Sequence, residues 1–362
     1  MGMKRSGRAR GALLLVLAVP AAWWLWRTRE PLRRLAAALV LFLVPALLVT
    51  AVNWRVEGSP VFVAWQGGVN FYAGNHAGAS GRSVEIPEFA DHVSWREFVP
   101  ATVRVAEDAV GRPLSSREVS NWWLHRGLDF WREDPASALA LTGRKLYYAV
   151  NAFEVPNNRD LYFERPGILR ALVWHVPGFA FPWGLVFPLA VLGCVAGVRS
   201  ARTRAAAVSL GLWVLCYLAA VTPFFVAARF RMGAVPALIL LAALGLAHLR
   251  HAGRAGWAAA LVALVLVNSS FADVRAQNES LEWSRLAEAQ RQMGNPAEAA
   301  AALERSLERH SGNQVAALML AQTYVELGRV DDALAWYDRL LEVRGTDPDV
   351  RFSRGVALLQ GG

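Results

Sequence analysis

The sequence predicts an all-α membrane protein: multi-pass transmembrane helices, an extracytoplasmic, mixed but mainly helical loop domain, and a C-terminal α-solenoid. Three observations carry this reading. Five runs hold no charged residue: 35–52, 177–197, 205–228, 233–249 and 255–272. Arginines crowd into alternate short loops between those runs. After residue 280, similar residues recur every 34 positions.

The first segment, 1–52, opens with Lys4, Arg5, Arg8 and Arg10 ahead of a short apolar stretch, 11–26, which contains Pro20. A bilayer crossing takes about 20 apolar residues, so 11–26 is marginal. A signal peptide is another reading, but Trp23, Trp24, Trp26 and Arg27 stand where small residues would precede a cleavage site. One crossing by 11–26 would put the basic start outside, against the positive-inside rule. The expectation is an abnormal start, followed by a true crossing at 35–52.

Segment 53–176 mixes charges and aromatics as a folded extramembrane domain does, and its formal charge is −1. Ser115 and Glu118 form a capping box ahead of Val119, Trp122, Trp123 and Leu124, which starts a helix running to about Glu133. Asp134 and Pro135 then suit the N-cap and first position of a second helix, ending near Asn151. The Trp-rich helix is either core, an interfacial belt or a substrate-facing surface. Upstream, Gln66-Gly67-Gly68-Val69-Asn70-Phe71-Tyr72-Ala73-Gly74-Asn75 suits a tight turn bringing backbone amides towards a ligand, or simply a structured turn. No G-K-[ST] follows, so it is no P-loop.

Residues 177–272 form a four-helix transmembrane block. Loops 27–34, 198–204 and 250–254 carry nine arginines, against Arg229 and Arg231 in loop 229–232. Basic short loops face the cytoplasm. That places 53–176 and 273–362 outside a bacterial cytoplasmic membrane. The chain's net charge of +9 resides at 1–34 and 177–254, each +7, while 280–362 sum to −3. The excess therefore marks topology and does not point to nucleic acid. Cys194 and Cys216 lie in apolar runs and cannot frame disulfides, and the seven His show no metal-ligand spacing.

From residue 280, Gly294, Gly328 and Gly362 are 34 apart. Ala299 matches Ala333, Leu286 matches Leu320, Leu303 matches Tyr337, and Ala287 and Ala321 match Gly355. This period, with small residues at fixed places, is the tetratricopeptide signature. About two and a half repeats are present, and the third is expected to be truncated. Such arrays bind peptides or serve as spacers and self-association surfaces.

Q-G-G-V-N-F-Y-A-G-N at 66–75, N-A-F-E-V-P-N-N-R-D-L-Y-F at 151–163 and A-A-R-F-R-M-G-A-V-P at 227–236 together resemble the later half of integral-membrane glycosyltransferases of the GT-C fold. The nearest type is the dolichyl-phosphate-mannose protein mannosyltransferases, some of which carry tetratricopeptide tails. Gly233 departs from the Pro usual in the third stretch. The resemblance implies transfer of a sugar from a polyprenyl-phosphate-sugar donor to a protein or glycan acceptor at the outer membrane face. It also implies a catalytic carboxylate in an earlier outside loop. That loop has no counterpart here, so no catalytic residue is assigned. The alternative is a non-catalytic, membrane-anchored tetratricopeptide scaffold for envelope partners.

Within this resemblance the candidate substrate-binding residues are Arg229, Arg231, Lys145, Gln66, Asn70, Tyr72, Asn75, Glu154, Asn157 and Asn158. Arginine forks suit a lipid phosphate, with snorkelling interface anchors as the plain alternative for Arg229 and Arg231. Lys145 stands out because the chain otherwise uses Arg and has only one other Lys, Lys4. Glu154, Asn157 and Asn158 offer oxygens for sugar hydroxyls or a divalent cation, or form a solvated loop. No metal site or other cofactor is specified.

Overall fold

The computed structural model describes residues 32–58, 65–82, 84, 86–88, 95–156, 174–176, 179–270, 274–345 and 347–361, with isolated positions 19, 20, 23, 27 and 163. The readings placed on 1–18, on Asn157 and Asn158, and on Gly362 lie outside the described residues. The described chain is all-α, with 14 α-helices and one two-stranded hairpin, Trp174–Val176 paired with Phe179–Phe181. It divides into two compact units: 1–157 with 175–269, and 158–174 with 270–362.

The first unit begins with α1, Leu32–Glu57, whose 26 residues extend about 39 Å at 1.5 Å per residue. Next come α2 (Gly67–Ala73), α3 (Trp95–Val110), α4 (Ser116–Glu133) and α5 (Pro135–Val150). Helix α4 starts on the expected capping box: Ser115 accepts from Glu118 N, and Glu118 Oε2 accepts from Ser115 N at 2.9 Å. Arg112 and Ser115 together hold the Glu118 carboxyl at about 2. Asp134 caps α5 by accepting from Ser137 N at 3.0 Å, with Pro135 in the first turn. Core here is Val69, Tyr72, Ala106, Val119 and Trp123, with Trp123 Nε1 donating to Thr102 O at 3.0 Å.

The apolar block holds α6 (Trp183–Arg199), α7 (Arg204–Val221), α8 (Val235–Ala247) and α9 (Gly253–Asn268). These helices are shorter than the charge-free runs they overlap. Of the described helices, α7 alone is long and apolar enough to cross a bilayer, whereas α6, α8 and α9 are apolar but have 17, 13 and 16 residues. The run 205–228 loses its last third because Pro223 has no N–H to continue the ladder. The chain turns there and re-forms as a 3-10 turn at Ala228–Arg231. Helices α6 and α8 pack backbone to backbone at Gly193 and Gly245. A Cβ on Gly193 would overlap the Leu241 carbonyl oxygen, and one on Gly245 would overlap that of Leu189.

The second unit is a stack of antiparallel helices: α10 (Val274–Gln292), α11 (Pro296–Arg309), α12 (Gln314–Glu326), α13 (Val330–Arg344) and α14 (Pro348–Gly361). The 34-residue period sets its core. Ala287, Ala299, Leu303, Leu320, Ala321, Ala333 and Tyr337 are all at most 1% exposed and form one cluster. Gly294 and Gly328 have φ of 80° and 73°, the left-handed conformation each inter-helix turn requires. Ser280, Ser284 and Ser306 surround the Asn313 amide in a buried hydrogen-bonded knot, and Asn313 also caps α12 through Ala316 N.

Candidate functional site

The Gly67-Gly68 pair does not form a ligand-cradling turn. Residues 67–73 are the helix α2, and of its two glycines Gly68 serves packing while Gly67 faces open space. A Cβ on Gly68 would overlap the Ser120 carbonyl oxygen of α4, and Gly68 N donates to Ser120 Oγ at 3.1 Å. Gln66 stands half-buried ahead of α2 and accepts from Asn70 N at 2.9 Å; Asn70 is likewise half-buried. Tyr72 faces α4, 4.9 Å from the Trp123 ring, and donates to Glu88 Oε1. Arg126 pairs with the same Glu88 oxygen at 2.7 Å and lies over the Tyr72 and Trp122 rings. Burial first, and then Glu88, pushes the Tyr72 phenol far above its usual range, so it acts as a proton-bearing donor.

Asn75 is the hub of this region. Its Nδ2 donates to Phe71 O at 2.7 Å and Pro223 O at 2.6 Å. Its Oδ1 accepts from Trp131 Nε1 at 3.0 Å and Lys145 Nζ at 3.1 Å. One amide thus ties α2, α4, α5 and the loop after α7. Lys145 is wholly buried, and no described carboxylate pairs with it. Desolvation therefore acts unopposed on the ammonium and lowers its pKa to about 8.

That shift predicts a pH signature. The unfolded chain binds the Lys145 proton up to about 10.5, while the folded chain releases it near 8. Between those values the unfolded state holds more protons, so stability rises with pH. The span corresponds to a penalty on the order of 3 kcal/mol below pH 8, at ~1.36 kcal/mol per unit. Lys145→Met keeps the volume and removes the charge. In pH-resolved thermal unfolding it should be more stable than wild type at pH 7, with the advantage fading towards pH 10.5. A difference that stays flat across this range would show that the amine is not desolvated.

The second and third motifs meet as well. Asn151 caps α5, and Nδ2 of its amide donates to Ser269 O at 3.0 Å. Arg231 is 3% exposed; Nη1 donates to Asn151 O at 2.7 Å, Nη2 lies 3.3 Å from Glu154 Oε1, and the guanidinium stacks 4.0 Å from the Trp183 ring. Arg231 is therefore an internal strut joining the segment after α5 to the 3-10 turn, and Glu154 is its counter-ion. Arg229 is exposed, with its guanidinium 4.7 Å from the Phe230 ring. The two arginines do not extend α7; they sit beyond the Pro223 turn.

Further contacts bring the first stretch against the segment just ahead of the third, and the third against the second. Gly74 packs against the backbone of Phe224 and Phe225, Val226 N donates to Gly81 O at 2.8 Å, and Ala228 N donates to Val155 O at 2.9 Å.

Beside this knot lies an open cleft of about 270 Å³. His76, Ala77, Gly78 and Ala79 form one rim; Phe130, Asp134, Ser137, Leu141 and Arg144 form the other. Sequence reasoning missed Glu88, Arg126, Trp131 and the cleft residues, except that Asp134 was seen as a helix cap. Among the described residues no cluster of His, Cys, Asp or Glu could hold a metal ion.

A tetratricopeptide repeat family model matches residues 290–352. That span covers α11 to α13 with parts of α10 and α14, so the repeat assigned from the 34-residue period holds there. No curated protein and no solved structure matches the chain.

Proposed function

We propose that this chain is a membrane-embedded glycosyltransferase component of GT-C type that handles a polyprenyl-phosphate-linked sugar at the outer face of the bacterial cytoplasmic membrane. The acceptor is a protein or glycan hydroxyl, and the tetratricopeptide segment recruits a protein partner. In this reading α1 and α6–α9 lie in the bilayer, and 53–176 and 273–362 lie outside.

The observation that carries it is the convergence of the three motif stretches that resemble this enzyme type. The second and third, some 80 residues apart, are joined directly through Ala228 to Val155 and Arg231 to Asn151, and the first packs through Gly74 and Asn75 against residues 223–225, just ahead of the third. Independent packing motifs of a simple anchor have no need to meet. The shortness of α8 suits a helix that ends inside a bundle near an aqueous vestibule rather than a lone crossing. Arg229, exposed beside Phe230 at the edge of the apolar block, is the cation offered to the lipid phosphate. Arg231 acts in positioning, through Glu154 and Asn151.

The test is photolabelling of the full chain, in membranes, with a benzophenone-bearing polyprenyl-phosphate-mannose. Saturable labelling is expected, competed by unmodified donor and weakened about tenfold in Arg229→Ala, the scale of one charge-assisted contact. Absence of labelling, or equal labelling by a polyprenol lacking the phosphate, would overturn the donor reading.

The repeat match favours a second reading, a non-catalytic membrane-tethered scaffold that uses residues 290–352 to hold envelope proteins. A scaffold takes up no donor lipid, so the same labelling separates the two.

A further inference from the structure

The cleft and the Asn75 hub are built from adjacent residues. Asn75 precedes His76, Trp131 follows Phe130, and Lys145 follows Arg144. Asn75, Trp131 and Lys145 are locked in the hydrogen-bonded knot, and their neighbours His76, Phe130 and Arg144 line the cleft. The knot therefore fixes three separate elements from behind, and the walls of the cleft are held in place before any ligand arrives. Preorganisation of this kind is what a binding site requires and an incidental surface dent lacks.

The lining chemistry is mixed in sign. Phe130 supplies an apolar ring face. The Asp134 carboxylate accepts from the Ser137 hydroxyl and from Ser137 N, and these contacts, the hydroxyl first, hold its pKa below the ordinary value, so it stays an ionised acceptor at neutral pH. Ser137 brings a hydroxyl and Arg144 a guanidinium. His76 is 5% exposed, with Nδ1 2.8 Å from Ala77 O, which ties the ring to the rim. A lone anion would meet the Asp134 charge, and a lone cation would meet Arg144. An aromatic face flanked by paired donors and acceptors suits a neutral polyol instead. The volume lies just below the range of drug-sized ligand pockets, which run from about 300 Å³ upward, so there is room for one ring and not for a chain.

We infer that this cleft is a subsite for a single pyranose ring, with Phe130 beneath the ring and Asp134, Ser137 and Arg144 on its hydroxyls. The inference rests on the lipid-linked sugar reading for the class of ligand and deepens it by naming where a sugar ring sits.

The experiment is saturation-transfer NMR and titration calorimetry on the full chain in detergent, with methyl α-mannoside, methyl α-glucoside and methyl N-acetylglucosaminide as probes. At least one glycoside should bind saturably. Phe130→Ala and Arg144→Ala should each weaken it about tenfold. Asp134→Asn should do the same while keeping the α5 cap, since Asn caps as well as Asp; an unchanged melting temperature verifies this. No saturable binding of any probe, or binding by all three variants equal to that of the wild type, sinks the proposal. If the donor lipid photolabels the chain but no glycoside binds, the subsite fails and the donor reading stands. If a glycoside binds and the variants weaken it about tenfold without donor labelling, the subsite stands and the donor reading falls.

Discussion

Asn75→Ala is expected to lower stability by about 3–5 kcal/mol, enough to unfold a marginal domain. The magnitude follows from what the substitution abandons. Four hydrogen bonds vanish together: those from Nδ2 to Phe71 O and Pro223 O, and those into Oδ1 from Trp131 Nε1 and Lys145 Nζ. The partners stay behind in a site that excludes water. An unsatisfied neutral group costs about 1–3 kcal/mol, and an abandoned buried charge costs more. Chemical unfolding of the purified chain, followed by tryptophan fluorescence, measures this; Trp131 at the site is one of the chain's 15 tryptophans. The double variant Asn75→Ala with Lys145→Met should recover part of the loss, since the charge that suffers most is gone. A loss under about 1 kcal/mol would mean that the partners find water or other acceptors.

The second large effect is at the helix crossing in the apolar block. Gly193→Leu is expected to cost roughly 3 kcal/mol or more, at or beyond the top of the usual range for overpacking. The neighbour that a Cβ would strike is the Leu241 carbonyl oxygen, and backbone cannot swing aside as a side-chain tip can. Helices α6 and α8 would have to separate, and the same crossing carries Gly245 against Leu189. Within the membrane reading proposed above, small residues that let helix backbones touch are a main source of packing energy. Gly193→Ala should fall between the two. Gly143→Ala serves as the control, because a Cβ there meets nothing within 4 Å and α5 gains helix propensity. Melting temperatures of the four proteins in one detergent give the comparison.

Local signals in the sequence were read with good fidelity, and distant ones were not. The capping box at Ser115 and Glu118 and the Asp134-Pro135 start both stand where expected, because caps involve residues three positions apart. The tetratricopeptide core follows directly from period, as each repeat presents the same small residues to its neighbour. The Gly67-Gly68 pair misled for a related reason: glycine marks close approach, and only the fold says whether a ligand or another helix approaches. Here the partner is Ser120, some fifty residues on. Four of the five charge-free runs overstated the helices they marked, since hydropathy does not see where Pro223 or a 3-10 turn interrupts the ladder, whereas the first, 35–52, lies inside the longer helix Leu32–Glu57. Among the candidate site residues, Asn75 and Lys145 do meet, as do Glu154 and Arg231, but they meet each other inside the fold.

By itself, then, the sequence determined the all-α class, the apolar and charged zoning, the helix caps around Ser115 and Asp134, and the solenoid at the C-terminus. Each of these is written in periodicities and contacts within a few residues. The tertiary structure alone decided that Arg231 is a buried strut while Arg229 is exposed, that Asn75 rather than a glycine loop organises the motif, and that His76, Phe130 and Arg144 share a cleft. Those outcomes depend on pairs separated by roughly 50 to 150 residues. No local pattern encodes such pairs, because their energy is realised only when separate elements dock and water is excluded between them.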